Sequence, residues 1–80
     1  MVKIENREIN QYKSKLKQMR VASGFTQNEL SQLSGINVKS IASYEQDTDK
    51  IINASVKTLY LLSECLNCSI EDLIDTNFIK

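Results

Sequence analysis

The chain has 80 residues, with ten Lys or Arg balanced by ten Asp or Glu and with no Pro, which suits one small domain built from unbroken helices. Because no stretch of about 18 residues is continuously apolar, the composition excludes a membrane-spanning helix. The N-terminal residues are charged and lack the apolar segment of a signal peptide, so we expect a cytoplasmic protein.

The N-terminal part of the chain is predicted to hold an arm and a first helix. Residues 1–8 carry mixed charges without periodicity and are interpreted as an N-terminal arm, followed by a single domain over residues 9–80. The helix is predicted to begin at Ile9 or Asn10 and to end at about Ser23, because apolar residues recur there at intervals of three or four. The apolar stripe consists of Ile9, Tyr12, Leu16 and Met19.

Two short helices around a tight turn are predicted next, between Thr26 and Glu45. Thr26 can cap the first of them, and Glu29 can complete a capping box. Gly35 follows the last apolar position, where a left-handed residue ends a helix at least cost, and Asn37 can cap the following helix. Such a sharply bent pair is typical of helix-turn-helix units, which place their second helix in the DNA major groove. The residues expected to face the core are Leu30, Leu33, Ile41 and Tyr44.

The rest of the chain is predicted to hold a loop and two more helices. The stretch 46–54 is interpreted as a loop, and Ser55 can cap a fourth helix that ends at Asn67. A short fifth helix begins at Ser69, with acidic residues in its first turn, where the helix dipole favours them. The sequence therefore predicts an all-α fold of five helices with no strand. The buried side of the fourth helix is assigned to Val56, Leu59, Leu62 and Leu66.

A set of residues at characteristic spacings runs through these elements. The set comprises Arg20, Gly24, Phe25, Thr26, Gln27, Leu30, Gly35, Ile36, Asn37, Ile41, Tyr44, Glu45, Leu59, Leu62 and the segment 66–73. It resembles the helix-turn-helix of the Cro/CI-type repressors, also called the XRE family. The resemblance implies a compact, five-helix, lambda-repressor-like DNA-binding domain with its helix-turn-helix at the second and third helices. The chain departs from the family pattern at Asp47, where the family often has Gly, and at Ala54, where it often has Pro.

The outward face of the third helix carries the residues expected to contact DNA bases. Lys39 can donate to guanine O6 and N7, and Ser43 can hydrogen-bond several base edges. Val38 and Ala42 can pack on thymine methyl groups. The resemblance likewise implies base contacts by Val38, Lys39 and Ser43. The alternative is an ordinary solvated helix face.

Four other residues are candidates for contact with DNA phosphates. Gln27 lies at the start of the second helix, where unpaired backbone N–H groups attract phosphate. The resemblance implies that Gln27 both contacts a phosphate and supports the third helix. Asn37, Gln46 and Lys50 are the other candidates, with simple capping as the alternative role for Gln27 and Asn37.

The resemblance also implies an ion pair between Arg20 and Glu45, which would join the first helix to the end of the third. Such a pair, when buried, fixes geometry more than it adds stability. Lys15 and Lys17 have no comparable assignment and are interpreted as solvated.

The two halves of the chain differ in charge. Residues 1–44 hold seven Lys or Arg and three acids, a net charge of +4, whereas residues 45–80 hold three Lys and seven acids, a net charge of −4. The basic half therefore suits a phosphate backbone better than the acidic half does.

Two functions from different classes fit these features. The first is a sequence-specific, double-stranded-DNA-binding transcriptional regulator of the repressor type, which acts as a homodimer on a palindromic operator. The alternative is a protein-interaction module on the same fold, such as an antitoxin-like or adaptor subunit, which the near-neutral charge and the acidic loop favour.

No enzyme activity, cofactor or small-molecule ligand is expected, because no catalytic motif is present. The expected dimer interface comprises Leu61, Leu73, Ile74, Phe78 and Ile79.

Cys65 and Cys68 form a C-x-x-C motif. Zinc needs about four ligands, and the chain has no His and no other Cys. A redox motif of this kind belongs in a βαβ context, which the sequence lacks. We therefore expect two reduced, largely buried thiols and no metal, with a zinc site between subunits as the alternative.

Overall fold

The computed structural model describes residues 14–74, and over that range it contains helices and no strand. The all-α fold predicted from the sequence is confirmed. None of the described helices is long and apolar enough to cross a membrane. In chain order they are α1 (Lys15–Ala22), α2 (Gln27–Ser34), α3 (Val38–Gln46), α4 (Thr48–Ile52) and α5 (Val56–Leu66), followed by a 3-10 turn at Ile70–Asp72.

The start of α1 differs from the prediction. Ser14 has an extended backbone, and its hydroxyl accepts a hydrogen bond from the N–H of Lys17 at 3.0 Å, so it caps a helix that begins at Lys15. The prediction of one continuous helix from Ile9 or Asn10 to about Ser23 is therefore wrong, because the backbone of Ser14 is extended. Ile9 and Asn10 themselves lie outside the described residues.

Helices α1 and α5 end in the same kind of turn. After α1, Gly24 has a φ of +82°, and the N–H of Phe25 donates to the carbonyl of Arg20 at 3.1 Å. After α5, Asn67 takes a left-handed φ of 53°, and the N–H of Cys68 donates to the last turn of α5 at 3.0 Å. These bonds satisfy carbonyls that a helix end otherwise leaves unpaired.

One cluster of aliphatic side chains holds the elements together, and burial of each such side chain stabilises the fold by about 1.5–3 kcal/mol. Two positions predicted for this core are wrong: Leu33 is 59% exposed and Val56 is 74% exposed. Helix α2 turns Leu30 and Ser34 inward, which leaves Leu33 on its flank, and Val56 is the first residue of α5. The buried cluster comprises Leu16, Leu30, Ile41, Ile51, Leu59, Leu62, Leu66 and Leu73.

The stretch 46–54, predicted as a loop, contains the short helix α4. Asp47 caps it by accepting a hydrogen bond from the N–H of Asp49 at 3.0 Å, and Ile51 is buried in the core with 2% exposure. The loop prediction is therefore wrong, because one apolar side chain anchors a helical turn there. The predicted fifth helix is reduced to the three-residue 3-10 turn, which Ser69 caps.

Candidate nucleic-acid interface

Local capping fixes the two helices of the helix-turn-helix unit. The hydroxyl of Thr26 accepts from the N–H of Glu29 at 3.0 Å, and the carboxylate of Glu29 accepts from the N–H of Thr26 at 2.8 Å. Gly35 ends α2 with a φ of +78°, a conformation that residues with a side chain rarely adopt. Asn37 begins α3, with its side-chain oxygen accepting from the N–H of Lys39 at 2.7 Å. The predicted capping box and both predicted boundary residues are present.

Two serines brace the turn between α2 and α3. The hydroxyl of Ser31 donates to the carbonyl of Ile36 at 2.6 Å. The hydroxyl of Ser34 accepts from the N–H of the same residue at 3.1 Å. Since the side chain of Ile36 also packs against the core, the turn is held on both sides. Sequence reasoning missed these roles, although small hydroxyl residues near a helix end are a signal for such bonds.

A buried carboxylate joins the first three helices. Arg20 Nε donates to Glu45 Oε2 at 2.6 Å, and Nη2 donates to Oε1 at 3.1 Å. The third donor of the guanidinium, Nη1, bonds the carbonyl of Phe25 at 2.7 Å, and Gln27 Nε2 donates to Glu45 Oε1 at 3.0 Å. The side chains of Arg20 and Glu45 are only 10% and 4% exposed. The network therefore sets how α3 lies against α1 and α2.

Helix α3 turns one face to the core and the other outward. Ile41 is fully buried, and Tyr44 is half-buried against the core. With nine residues at about 1.5 Å each, α3 is close in length to the roughly 12 Å width of the major groove. Lys39 is exposed on the outer face, so the geometry permits the base contacts predicted for this helix. Around it lie Val38, Ala42 and Ser43, all half-buried, and the exposed Gln46.

The residues predicted to contact phosphates are distributed around α3. Gln27 and Gln46 line a surface cleft of about 300 Å³ between α2 and the end of α3. The amide of Gln27 already donates to Glu45, which favours its supporting role. The side-chain oxygen of Asn37 is occupied as a cap, so its amide nitrogen is the part suited to a phosphate.

Lys50 bonds a residue of α3 directly. Its Nζ donates to the hydroxyl of Ser43 at 3.1 Å. The two were predicted to make separate contacts, one with a phosphate and one with a base. Sequence reasoning missed the link because it left 46–54 without structure. The signals were the capping residue Asp47 and the apolar Ile51, which together indicate a helical turn.

The predicted dimer interface needs correction. Leu73 is 1% exposed and belongs to the core, so it is not available to a partner. Leu61 is half-buried, and Ile74 is half-buried and packs against the core. Phe78 and Ile79 lie outside the described residues. The large apolar side chains that the described part does expose are Val21, Leu33, Val56 and Tyr60.

The two thiols lie at the edge of the core. Burial raises the pKa of Cys65, with a smaller contribution from the charge of Glu64. Burial likewise raises the pKa of Cys68, helped by Asp72. A raised pKa keeps a thiol protonated, whereas a nucleophile or metal ligand needs the thiolate. Among residues 14–74, no group of three or more His, Cys, Asp or Glu could hold a metal ion.

Comparison with known proteins identifies one relationship. A family model described as helix-turn-helix matches residues 16–73, from α1 to the last buried leucine. The matched region includes the turn between α2 and α3 and both partners of the buried ion pair. No curated protein and no solved structure matches the chain. The family match covers well over half of the chain.

Proposed function

We propose that this chain, which belongs to the Cro/CI-type (XRE) family of helix-turn-helix DNA-binding regulators, binds a specific double-stranded DNA site and represses transcription there. The observation that carries the proposal is the outer face of α3, where Lys39 is exposed on the side opposite the buried Ile41. The face is small and polar enough to enter a major groove. A bound protein would block access of the transcription machinery to the same site, in the cytoplasm.

Two kinds of contact with DNA, to base edges and to phosphates, would have different roles at this surface. Lys39 and its neighbours on α3 would read base edges and so provide specificity. Gln27, with the backbone N–H groups at the start of α2, would contact phosphates and so provide affinity and register. The buried ion pair supports this division, because Gln27 and α3 are both held by the carboxylate of Glu45.

A homodimer would give the protein enough information to select a site. One recognition helix reads only a few base pairs, whereas a two-fold dimer places two such helices about 34 Å apart, one turn of B-DNA. With Leu73 excluded, the outer face of α5 is the better candidate interface. Val56 and Tyr60 are large apolar side chains that are exposed there, 74% and 52% respectively, and no side chain among residues 14–74 covers them.

The charges on α5 favour a second copy of the chain as the partner of this face. Lys57 and Glu64 are both exposed. In the sequence, Lys57 lies three residues before Tyr60, and Glu64 lies three residues after Leu61. In an antiparallel pairing of two α5 helices, Lys57 of one copy would lie opposite Glu64 of the other. A two-fold interface requires this kind of self-complementarity. The resulting homodimer would bind a palindromic operator.

Selection from a random duplex library tests the proposal. The full chain is incubated with the library at low and at moderate salt, and the bound duplexes are sequenced. We expect a palindromic motif whose half-sites are centred about 10 base pairs apart. Affinity for the motif should exceed affinity for unrelated duplexes by roughly a thousandfold or more. A library recovered without enrichment would contradict the proposal.

One observation favours a second candidate function. Asp47 and Asp49 are exposed directly after α3, where they would repel a phosphate backbone. A protein-interaction module of the antitoxin or adaptor kind would tolerate these acids. Under that function the chain would enrich no duplex at either salt concentration, but would bind a protein partner. The selection experiment therefore separates the two.

A further inference from the structure

Lys50 occupies a fixed position beside α3, the helix proposed to enter the major groove. The buried side chain of Ile51 anchors α4 in the core, and Asp47 begins that helix one residue after α3 ends. At its other end, the side chain of Asn53 donates to the carbonyl of Asp49 at 3.1 Å. Since the backbone of Lys50 is held in this way, its side chain extends back along α3 to reach the hydroxyl of Ser43 at 3.1 Å.

The hydrogen bond determines what Ser43 can offer to DNA. An ammonium group has three N–H donors and no acceptor, whereas a hydroxyl has one donor and can accept two bonds. Because Lys50 donates to Ser43, it occupies one acceptor position of the hydroxyl, whose own proton can then be donated to another group. The pair therefore presents donors: the O–H of Ser43 and the remaining N–H groups of Lys50.

Base edges in the major groove differ in their ability to accept such donors. Guanine presents two adjacent acceptors, O6 and N7, whereas cytosine presents an amino donor and adenine one donor beside one acceptor. A serine alone bonds donors and acceptors alike and discriminates weakly. A serine joined to a lysine matches the two acceptors of guanine and opposes an amino group.

We infer that Lys50 is a specificity-determining residue, which acts with Ser43 to select a guanine at the base pair read by the end of α3. The inference rests on the proposed DNA-binding function and deepens it. It assigns to Lys50 a role in base readout in place of the phosphate contact expected from the sequence. It also gives α4 a function, since this helix places the lysine.

The test compares the selected motifs of six proteins: wild type, Lys50→Met, Lys50→Arg, Ser43→Ala, the double variant Lys50→Met with Ser43→Ala, and the control Lys15→Met. Methionine keeps the length of the lysine stem and removes the donors, and arginine keeps donors. Lys15→Met makes the same charge change at the first residue of α1, which belongs to neither α3 nor α4. Circular dichroism confirms that each variant is folded, which we expect because Lys50 is exposed.

We expect wild type to prefer guanine at one base pair of each half-site by roughly 5- to 150-fold, the range of a good bidentate contact. Lys50→Met and Ser43→Ala should both lose the preference at that base pair, while Lys50→Arg and Lys15→Met keep it. In the double variant Lys50→Met with Ser43→Ala, the preference for guanine at that base pair should be no lower than in either single variant.

Three results would overturn the inference. If Lys50→Met weakens binding to all sequences by one factor and leaves the motif unchanged, Lys50 contacts the backbone. If Lys50→Met and Ser43→Ala alter different base pairs, the two side chains act separately; in both cases the proposed DNA-binding function stands. If wild type enriches no motif, the proposed function fails and this inference fails with it.

Discussion

Arg20 and Glu45 lie 25 positions apart in the chain, and two hydrogen bonds of 2.6 and 3.1 Å join the guanidinium to the carboxylate. The pair connects α1 to the last turn of α3. Because Gln27 bonds the same carboxylate, the ion pair also positions the start of α2. The orientation of the recognition helix thus depends on one buried charge and its donors.

Removal of either partner should destabilise the fold. Arg20→Ala or Glu45→Ala leaves the other charge buried and unpaired, which costs about 3–5 kcal/mol in the free energy of unfolding. Urea denaturation of each variant measures the loss. The double variant Arg20→Met with Glu45→Leu is the control, and it should lose less than the sum of the two single variants, since no unpaired charge remains. Single variants with wild-type stability would contradict the structural role of the pair.

The success of sequence reasoning here depended on the range of the interactions. Thr26 with Glu29 and Asn37 with Lys39 form bonds within three residues, so residue type and spacing were sufficient to predict them. Leu73 could not be assigned in this way. An apolar residue near the end of a small chain can enter the core or a subunit interface. Only the packing of the 3-10 turn against α1 and α5 decides between the two.

The same reasoning explains the error at α4. The stretch 46–54 has mostly polar residues, and propensity alone favours a loop. Burial of Ile51 against the core overrides that preference, and burial depends on residues far away in the chain. The contact between Lys50 and Ser43 follows from this packing. It could therefore not be predicted without first predicting α4.

Gly35→Ala should destabilise the fold by about 1–2 kcal/mol, the cost of a left-handed backbone for a residue with a Cβ. Gly35 has a φ of +78°, and a Cβ built there meets no atom within 4 Å, so strain and not a clash is the cause. Gly35→Asn should lose less, because Asn tolerates this conformation better. Urea midpoints of the two variants provide the measurement. Equal stability of Gly35→Ala and wild type would show that the turn relaxes at no cost.

Charge reversal tests the homodimer through α5. Lys57→Glu and Glu64→Lys should each weaken self-association and binding to the palindromic site, because each places like charges opposite one another. The double variant restores opposite charges and should recover association. Sedimentation at matched concentrations, with and without the DNA site, measures both effects. Lys15→Glu on α1 is the control matched in charge to Lys57→Glu; an equal loss in this control would place the interface elsewhere.

The raised pKa values of the two thiols predict a loss of stability at alkaline pH. Burial, and then the charges of Glu64 and Asp72, raise the pKa of Cys65 and Cys68, so the folded chain holds these protons more tightly than the unfolded chain. Their contribution to stability is therefore complete below the ordinary thiol pKa of about 8.5 and is lost as pH rises through the raised values.

Urea midpoints between about pH 7 and about pH 10 measure this loss. Wild type should lose more stability over the range than Cys65→Ala with Cys68→Val, in which the titrating groups are absent. All other side chains are common to the two proteins, so the comparison isolates the thiols. Parallel curves for the two proteins would mean that the thiols titrate alike in the folded and unfolded chain.

Variants of Lys39 and Gln27 should distinguish base readout from phosphate contact. Lys39 is exposed on the outer face of α3, near its first turn, where a long donor can reach guanine. Lys39→Ala should cost about 1–3 kcal/mol on the selected site and relax the preference at one base pair per half-site. Gln27→Ala should weaken binding to all duplexes alike, because a phosphate carries no base identity.

The contrast between these two variants is the measurement, made by selection from the same random library and by binding to fixed duplexes. Gln27→Ala also removes one hydrogen bond from Glu45, so its stability is compared with wild type by urea denaturation before binding is interpreted. Loss of folding would affect every duplex and abolish helical dichroism. If Lys39→Ala returns the wild-type motif with uniformly lower affinity, Lys39 contacts the backbone. Base readout would then depend on Val38, Ala42 and Ser43, the other residues of α3 that are predicted to contact bases.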